Sequence, residues 1–460
     1  MTDRLDHAHW SARLAALAER HGVPGAQLGI LLLDDDGEDR RLETATGVLS
    51  VRTGFPVTPD ALFQIGSITK VWTATLIMVL VDDGRLRLDE PVAEILPGFA
   101  LGDADTARAL TVRHLLTHTG GIDGDIFIDT GRGDDCVERY VEQLATAEQS
   151  HPIGATWSYC NSGYVLLGRI VEVVTGMGWD AALRDLLIRP LGLSRTATLP
   201  EDVLLHPAAI GHHERDDGPT VVPVWHMPRS SSPAGVISAA AGDVLAFAEL
   251  HLRGGIASDG SRLLSAESAA AMTARQVDLP DAETLGDSWG LGWIRFDWSG
   301  HRLYGHDGNT IGQAAFLRIL PERRLAVTLL ANGGRTRDLY EDLYREIFAE
   351  LAGIEMRRPF EPATEAPAEI GDFAGRYERA GIAIDIEDGD DGPILRSTAS
   401  GPIAALLPNP VQEFPLVAAR SDILAVRPPG AQTWIPVTFY ALPTGERYVH
   451  FGARAARKVG

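Results

Sequence analysis

Apolar residues fall at helical spacing along some stretches of this chain and alternate with polar ones along others, and the points of changeover divide it. Residues 9–21 suit an amphipathic helix, and residues 25–33 and 42–51 read as two strands around an acidic turn, Asp34, Asp35, Asp36 and Gly37. From Val71 to Val81 apolar residues surround nearly the whole circumference of a helix, which marks an element enclosed by a core. Ser67 would stand in its first turn. Residues 85–230 predict mainly helices joined by long loops rich in Gly and Pro, with no strand–helix alternation. Strands return at 293–298, 302–304, 314–320 and 325–331, followed by a helix over 338–351. Terminal strands packed with one buried helix, plus a helical insertion, predict an α+β fold.

Residues 353–369 are rich in Pro, Glu and Ala and read as a linker. Beyond them, short alternating runs such as Ile382, Ile384 and Ile386 are separated by turn clusters such as 388–393, which suits a small all-β barrel. The expected organisation is a first unit over 1–352, a linker over 353–369 and a β unit over 370–460. A chain of 460 residues is long enough for two cores.

Composition narrows the partners. The net charge of -22 disfavours nucleic acid and anionic membrane surfaces. No charge-free stretch approaches membrane-spanning length. Residues 1–22 lack the basic start and unbroken apolar run of a signal peptide, so the expectation is a cytoplasmic protein. Cys136 and Cys160 are too few for a disulfide framework. His114 and His118 stand at i, i+4 spacing but no third ligand is evident, so neither a metal nor another cofactor is expected.

Lysine usage points to chemistry. Of 41 basic residues only Lys70 and Lys458 are lysine, and Lys458 lies in the C-terminal tail. An ammonium can lose its proton once desolvated, whereas a guanidinium cannot, so a lysine kept at the start of a buried helix answers a need for a neutral amine. Ser67 and Lys70 share a helix face, which lets the amine reach the hydroxyl as a base toward a nucleophile.

Two further stretches could complete such a site. Tyr159, Cys160 and Asn161 precede an apolar helix over 164–174; a phenol beside an ammonium can move protons, and an amide can hold an acyl carbonyl. Gly305, His306, Asp307, Gly308 and Asn309 place glycines around a polar pair, which allows close backbone approach to a ligand; taken alone, the pattern also fits a tight turn.

Taken together, Ser67-Ile-Thr-Lys70, Tyr159-Cys-Asn161 and His306-Asp-Gly308 resemble, in order and approximate spacing, the three motifs of serine-type penicillin-recognising enzymes, the class C β-lactamase and DD-peptidase group. Supporting stretches are 114–121, 233–238 and 290–293. The resemblance covers about residues 10–350. It implies a catalytic domain of that fold ahead of the small, lipocalin-like barrel, with Ser67 acylated, Lys70 and Tyr159 as proton-transfer partners and Asn161 as a ligand of the substrate carbonyl. It also implies an oxyanion hole from the backbone N–H groups of Ser67 and Asn309. Where β-lactamases of this group carry Lys in the third motif, His306 stands here, as in D-aminopeptidases, esterases and some peptide cyclases. A neutral imidazole is a poor ligand for a drug carboxylate.

The two-unit layout resembles penicillin-binding-protein-type thioesterases of nonribosomal peptide pathways. That resemblance implies a peptidyl thioester substrate, presented by a carrier protein and closed head to tail at a D-configured residue. The alternative is a D-amino-acid-specific amidase, peptidase or esterase; a non-catalytic penicillin-binding sensor is the reading without turnover. Arg447, in a turn of the β unit, resembles the arginine by which such cyclases hold the nucleophilic end of the peptide. Trp225 is a further candidate for the acyl pocket, and Gly308 and Asn309, at the third motif, are candidates for substrate binding.

Overall fold

A computed structural model describes residues 5–34, 39–215, 218–404, 409–429 and 431–460. The tip of the expected acidic turn at Asp35, Asp36 and Gly37 lies outside them. An eight-stranded antiparallel sheet organises the first part of the chain. Its order is Arg40–Gly47, Gly25–Leu32, Leu325–Ala331, Ala314–Leu320, His301–Asn309, Ile294–Trp298, Ser288–Trp289 and Val277–Asp278. The strand Gly25–Leu32 is buried along its whole length and pairs Ala26 with Ala331, so the two ends of the unit are stitched into one sheet.

One face of the sheet is covered by the helices His7–Arg20 and Thr336–Ala352, through Trp10, Leu14, Tyr344 and Phe348. The other face carries the helical insertion and the helix Thr69–Asp82, which is buried on every side as its all-round apolar pattern predicts. Trp72 in that helix stacks on Phe247 at 4.1 Å. Gly168, in the helix Asn161–Thr175, lets Pro233 approach so closely that a Cβ there would lie 2.1 Å from the proline Cγ.

The second sheet has nine antiparallel strands, in the order Val411–Pro415, Gly392–Ala399, Ile382–Gly389, Gly375–Arg379, Arg454–Lys458, Arg447–Phe451, Ile435–Ala441, Ile423–Val426 and Val417–Arg420. Its two outer strands are joined through Leu416 alone, so the sheet curls into a nearly closed barrel around Tyr377, Leu395, Val426, Val437 and Val449. The α+β expectation and the barrel are both met.

Residues 353–369 have no helix or strand, yet they do not hang free: Ile354 and Met356 pack with the first unit, while Phe360 packs against Val417. The stretch Gly305–Asn309 is not a turn but the end of a nine-residue strand, His301–Asn309. Its glycines serve close packing: a Cβ on Gly305 would lie 2.0 Å from Leu317 O, and one on Gly308 would lie 1.9 Å from Ile65 O.

Candidate active site

The turn Gly66–Ile68 leads into the helix Thr69–Asp82 and sets Ser67 at its mouth. Gly66 adopts φ +52°, and a Cβ there would stand 2.6 Å from the backbone N of Asn309. Only glycine meets both demands. A Cβ on Gly308 would likewise stand 3.0 Å from Ser67 N. The two glycines therefore seat the end of the strand His301–Asn309 directly on the serine turn, bringing the backbone N–H groups of Ser67 and Asn309 to one place. Such a pair of donors can stabilise a developing oxyanion.

Lys70 is fully buried, with its Nζ 3.0 Å from Ser67 Oγ and 2.6 Å from Ala234 O, to which it donates. Burial, and after it the Arg454 guanidinium, push its pKa well below the usual lysine value. A neutral amine that gives one proton to Ala234 O keeps its lone pair for the serine hydroxyl. The arrangement can thus activate Ser67 as a nucleophile.

Tyr159 lies on the other side of the amine, with Lys70 Nζ 4.9 Å from its ring centroid. Its pKa moves opposite to the effect of a neighbouring ammonium: burial pushes the phenol up, and Ser67 and Arg454 offset that only in part. A phenol that keeps its proton can serve a leaving group as an acid. His306 is buried, and burial pushes its pKa down to about 3. Its Nδ1 is 2.6 Å from Asp307 O, so Nδ1 carries the proton, and Nε2 has no hydrogen-bond partner among the described residues.

Asn161 begins the helix Asn161–Thr175, and its Nδ2 donates to Asp125 at 3.0 Å. Lys70 is held by Ser67 Oγ and Ala234 O. Cys160 caps the same helix, its Sγ accepting from Gly163 N at 3.2 Å.

The Beta-lactamase family model matches residues 10–351. The chain belongs to this family. Penicillin-binding protein 4 of Amycolatopsis lactamdurans is 48% identical over 383 residues, which is 82% of this chain and 99% of that protein. Among solved structures, SurE superposes with a TM-score of 0.79 at 31% identity, covering 98% of this chain and 99% of SurE, and a SurE structure with D-Leu gives 0.77 at the same identity and coverage. A D-stereospecific amidohydrolase from Streptomyces sp. gives 0.58 at 26% identity, covering 76% of this chain and 99% of the amidohydrolase. The protein is therefore an enzyme of the serine hydrolase superfamily that includes β-lactamases and penicillin-binding proteins.

Within this family frame, the candidates Arg447 and Trp225 each have hydrogen-bond partners away from Ser67, Lys70 and Tyr159. Arg447 is exposed at the start of its barrel strand, donates to Asp372 O at 3.4 Å and forms no contact with Ser67, Lys70 or Tyr159. The barrel arginine at the site is Arg454, whose guanidinium carbon lies 4.7 Å from the Tyr159 ring centroid. Trp225 is half-buried, donates from Nε1 to Ala209 O at 2.9 Å and packs with Leu62, Ala197 and Val203; its own carbonyl accepts from Gln64. It buttresses the strand that leads to Ser67.

His118 is not at helical spacing from His114, because the helix Val112–Leu116 ends before it and His118 adopts φ +57°. Its Nδ1 accepts from Cys160 N at 3.0 Å, and its ring lies 4.5 Å from that of Tyr159. Trp157 and Trp289 complete an aromatic enclosure around it. Sequence reasoning missed Asp125, Arg379 and Arg454 because the contacts that matter join residues over 250 positions apart.

Proposed function

We propose that the protein acylates Ser67 with a peptidyl group drawn from a thioester, then resolves the acyl-enzyme by attack of the peptide's own amino terminus, releasing a head-to-tail macrolactam. Lys70 takes the Ser67 proton as Oγ adds to the thioester carbonyl, and the backbone N–H groups of Ser67 and Asn309 hold the oxyanion. Collapse expels the thiol, with Tyr159 as the group placed to return a proton. The amine then attacks the ester carbonyl, loses its proton to the same pair, and Ser67 leaves as the alcohol. Asn161 and His306 border the acyl group, which carries a D-configured residue. A carrier protein in the cytoplasm would present the thioester.

The observation that carries this reading is likeness over the whole chain, barrel included, to SurE, which has also been solved with D-Leu. A second reading, a D-specific amidase or peptidase, draws on the likeness to the D-stereospecific amidohydrolase. Matched peptidyl thioesters ending in a D- or an L-residue separate the readings. Macrocyclisation predicts consumption of the D-substrate with release of the thiol and a peptide product one water lighter than the linear acid, and none with Ser67→Ala. A linear acid alone would favour the hydrolase, and equal use of the L-substrate would remove the stereochemical part of the proposal.

A further inference from the structure

The barrel is docked on the segment that carries Tyr159. Tyr159 N donates to Ala453 O at 3.0 Å, Ala455 N donates to Ser158 Oγ at 3.1 Å, and Thr156 and Tyr440 share a hydrogen bond of 3.0 Å. At the centre of this seam stands Asp125, whose side chain is 7% exposed. Its two oxygens accept four hydrogen bonds: from Arg454 Nε at 3.0 Å and Nη2 at 2.9 Å, from Arg379 Nη1 at 2.9 Å and from Asn161 Nδ2 at 3.0 Å. Four donors fill the lone pairs of a carboxylate.

We propose that Asp125 is a positioning residue for acyl transfer, fixing the Asn161 amide from one side and the Arg454 guanidinium above Tyr159 from the other. This rests on the reading of Ser67, Lys70 and Tyr159 as the acylating groups. A latch between two domains needs only to bind them; this one grips Asn161, two residues from Tyr159, and Arg454, whose guanidinium lies over the Tyr159 ring. Gly124 strengthens the point, since its carbonyl accepts Asn161 N at 2.8 Å and a Cβ on it would lie 2.5 Å from Tyr159 O. The loop that bears Asp125 is thus moulded to the Tyr159–Asn161 segment. With one Nδ2 proton held by Asp125, Asn161 presents its second proton and its Oδ1 to the substrate in one fixed orientation. On the far side, Arg379 forms part of the wall of a cavity of about 390 Å³ that also involves Glu148, Gln149, Arg376 and Arg457, so the latch is reachable from outside the acyl site.

The carboxylate and the guanidinium also act on Lys70 with opposite sign. Arg454 pushes the amine's pKa down and Asp125 pulls it up. The other groups facing the amine are Ser67, Tyr159, Cys160, Tyr164, His118 and His306. Asp123, whose own pKa is pushed up to about 6 by burial, accepts from Asp125 N and faces Arg379.

The test is the pH profile of Ser67 acylation by a fluorophosphonate, with full-length protein and thermal unfolding measured alongside. Asp125→Asn is expected to lower kcat on a peptidyl thioester about 10-fold or more and to move the acid limb of acylation to lower pH. Arg454→Gln is expected to move that limb to higher pH, and Asp125→Glu to restore the limb. A purely structural latch would lower Tm in both variants and shift neither limb, which would overturn the proposal. Should Asp125→Asn not fold, Arg379→Gln and Arg454→Gln carry the test, with Arg379→Gln expected to lower kcat while Arg454 stays paired. Labelling that survives Ser67→Ala would instead defeat the acyl-enzyme reading itself.

Discussion

Replacing Gly308 with alanine tests whether the backbone seat at Ser67 is what makes the serine reactive. Gly308 lies within a strand, paired with Ala315, so its backbone accepts any residue and the effect is purely one of space. A Cβ there would meet Ile65 O at 1.9 Å and Ser67 N at 3.0 Å. Restoring even a 3.0 Å contact to the carbonyl requires the strand and the serine turn to part by about 1 Å. That opens the distance between the Ser67 and Asn309 donors. A misplacement of about 1 Å costs on the order of 100-fold in rate, or about 2.7 kcal/mol in the barrier, and overpacking costs a further 1–3 kcal/mol of stability. Stopped-flow acylation by a fluorophosphonate reads the first, and thermal unfolding the second. An acylation rate within about twofold of the parent, in a folded variant, would refute the geometry assigned to the oxyanion hole.

Other outcomes follow from the same geometry. Lys70→Arg should reduce acylation by at least 100-fold, since a guanidinium cannot accept the Ser67 proton; activity near the parent level would exclude Lys70 as the base. In the parent, acylation should rise with pH through a pKa below the usual lysine value, because burial disfavours the ammonium. The same depression makes the unfolded chain hold that proton more firmly, so the stability this site contributes rises with pH between the depressed value and the unfolded one; denaturant titrations across that window check the sign. Arg447→Ala should leave the ratio of cyclic to hydrolysed product unchanged, as its guanidinium faces Asp372; a changed ratio on product analysis would return it to the site. Cys136 and Cys160 are both buried, and burial pushes the Cys160 thiol up to about 12, so Ellman's reagent should react with neither until the protein is unfolded.

Local signals and distant contacts differ in how far the sequence reveals them. Ser67 and Lys70 are legible because one helical turn brings them together and because a buried helix announces itself by apolar residues all round. The strands 314–320 and 325–331 are legible because each is a short, mostly apolar run, interrupted only by Arg318 and by Thr328. The strand ending at Asn309 is less legible: its glycines also fit a turn in isolation, and the packing against Ile65 and Leu317 explains them. His114 and His118 look like a helical pair until the positive φ at His118 breaks the helix. Arg447 and Arg454 are likewise indistinguishable by local signal. Both flank turns of the barrel, and what separates them is that the turn through Gly452 and Ala453 docks on Tyr159 while the other faces solvent. Asp125 carries no local signal, since its partners come from Asn161 and from two barrel strands.

The most direct measurement is mass spectrometry of the products from a synthetic peptidyl thioester with a D-residue at its C-terminus, run beside the Ser67→Ala variant. A cyclic peptide is expected from the parent enzyme and unreacted thioester from the variant. Linear acid as the sole product would contradict macrocyclisation, and cyclic product from Ser67→Ala would contradict the acyl-enzyme on which everything else rests.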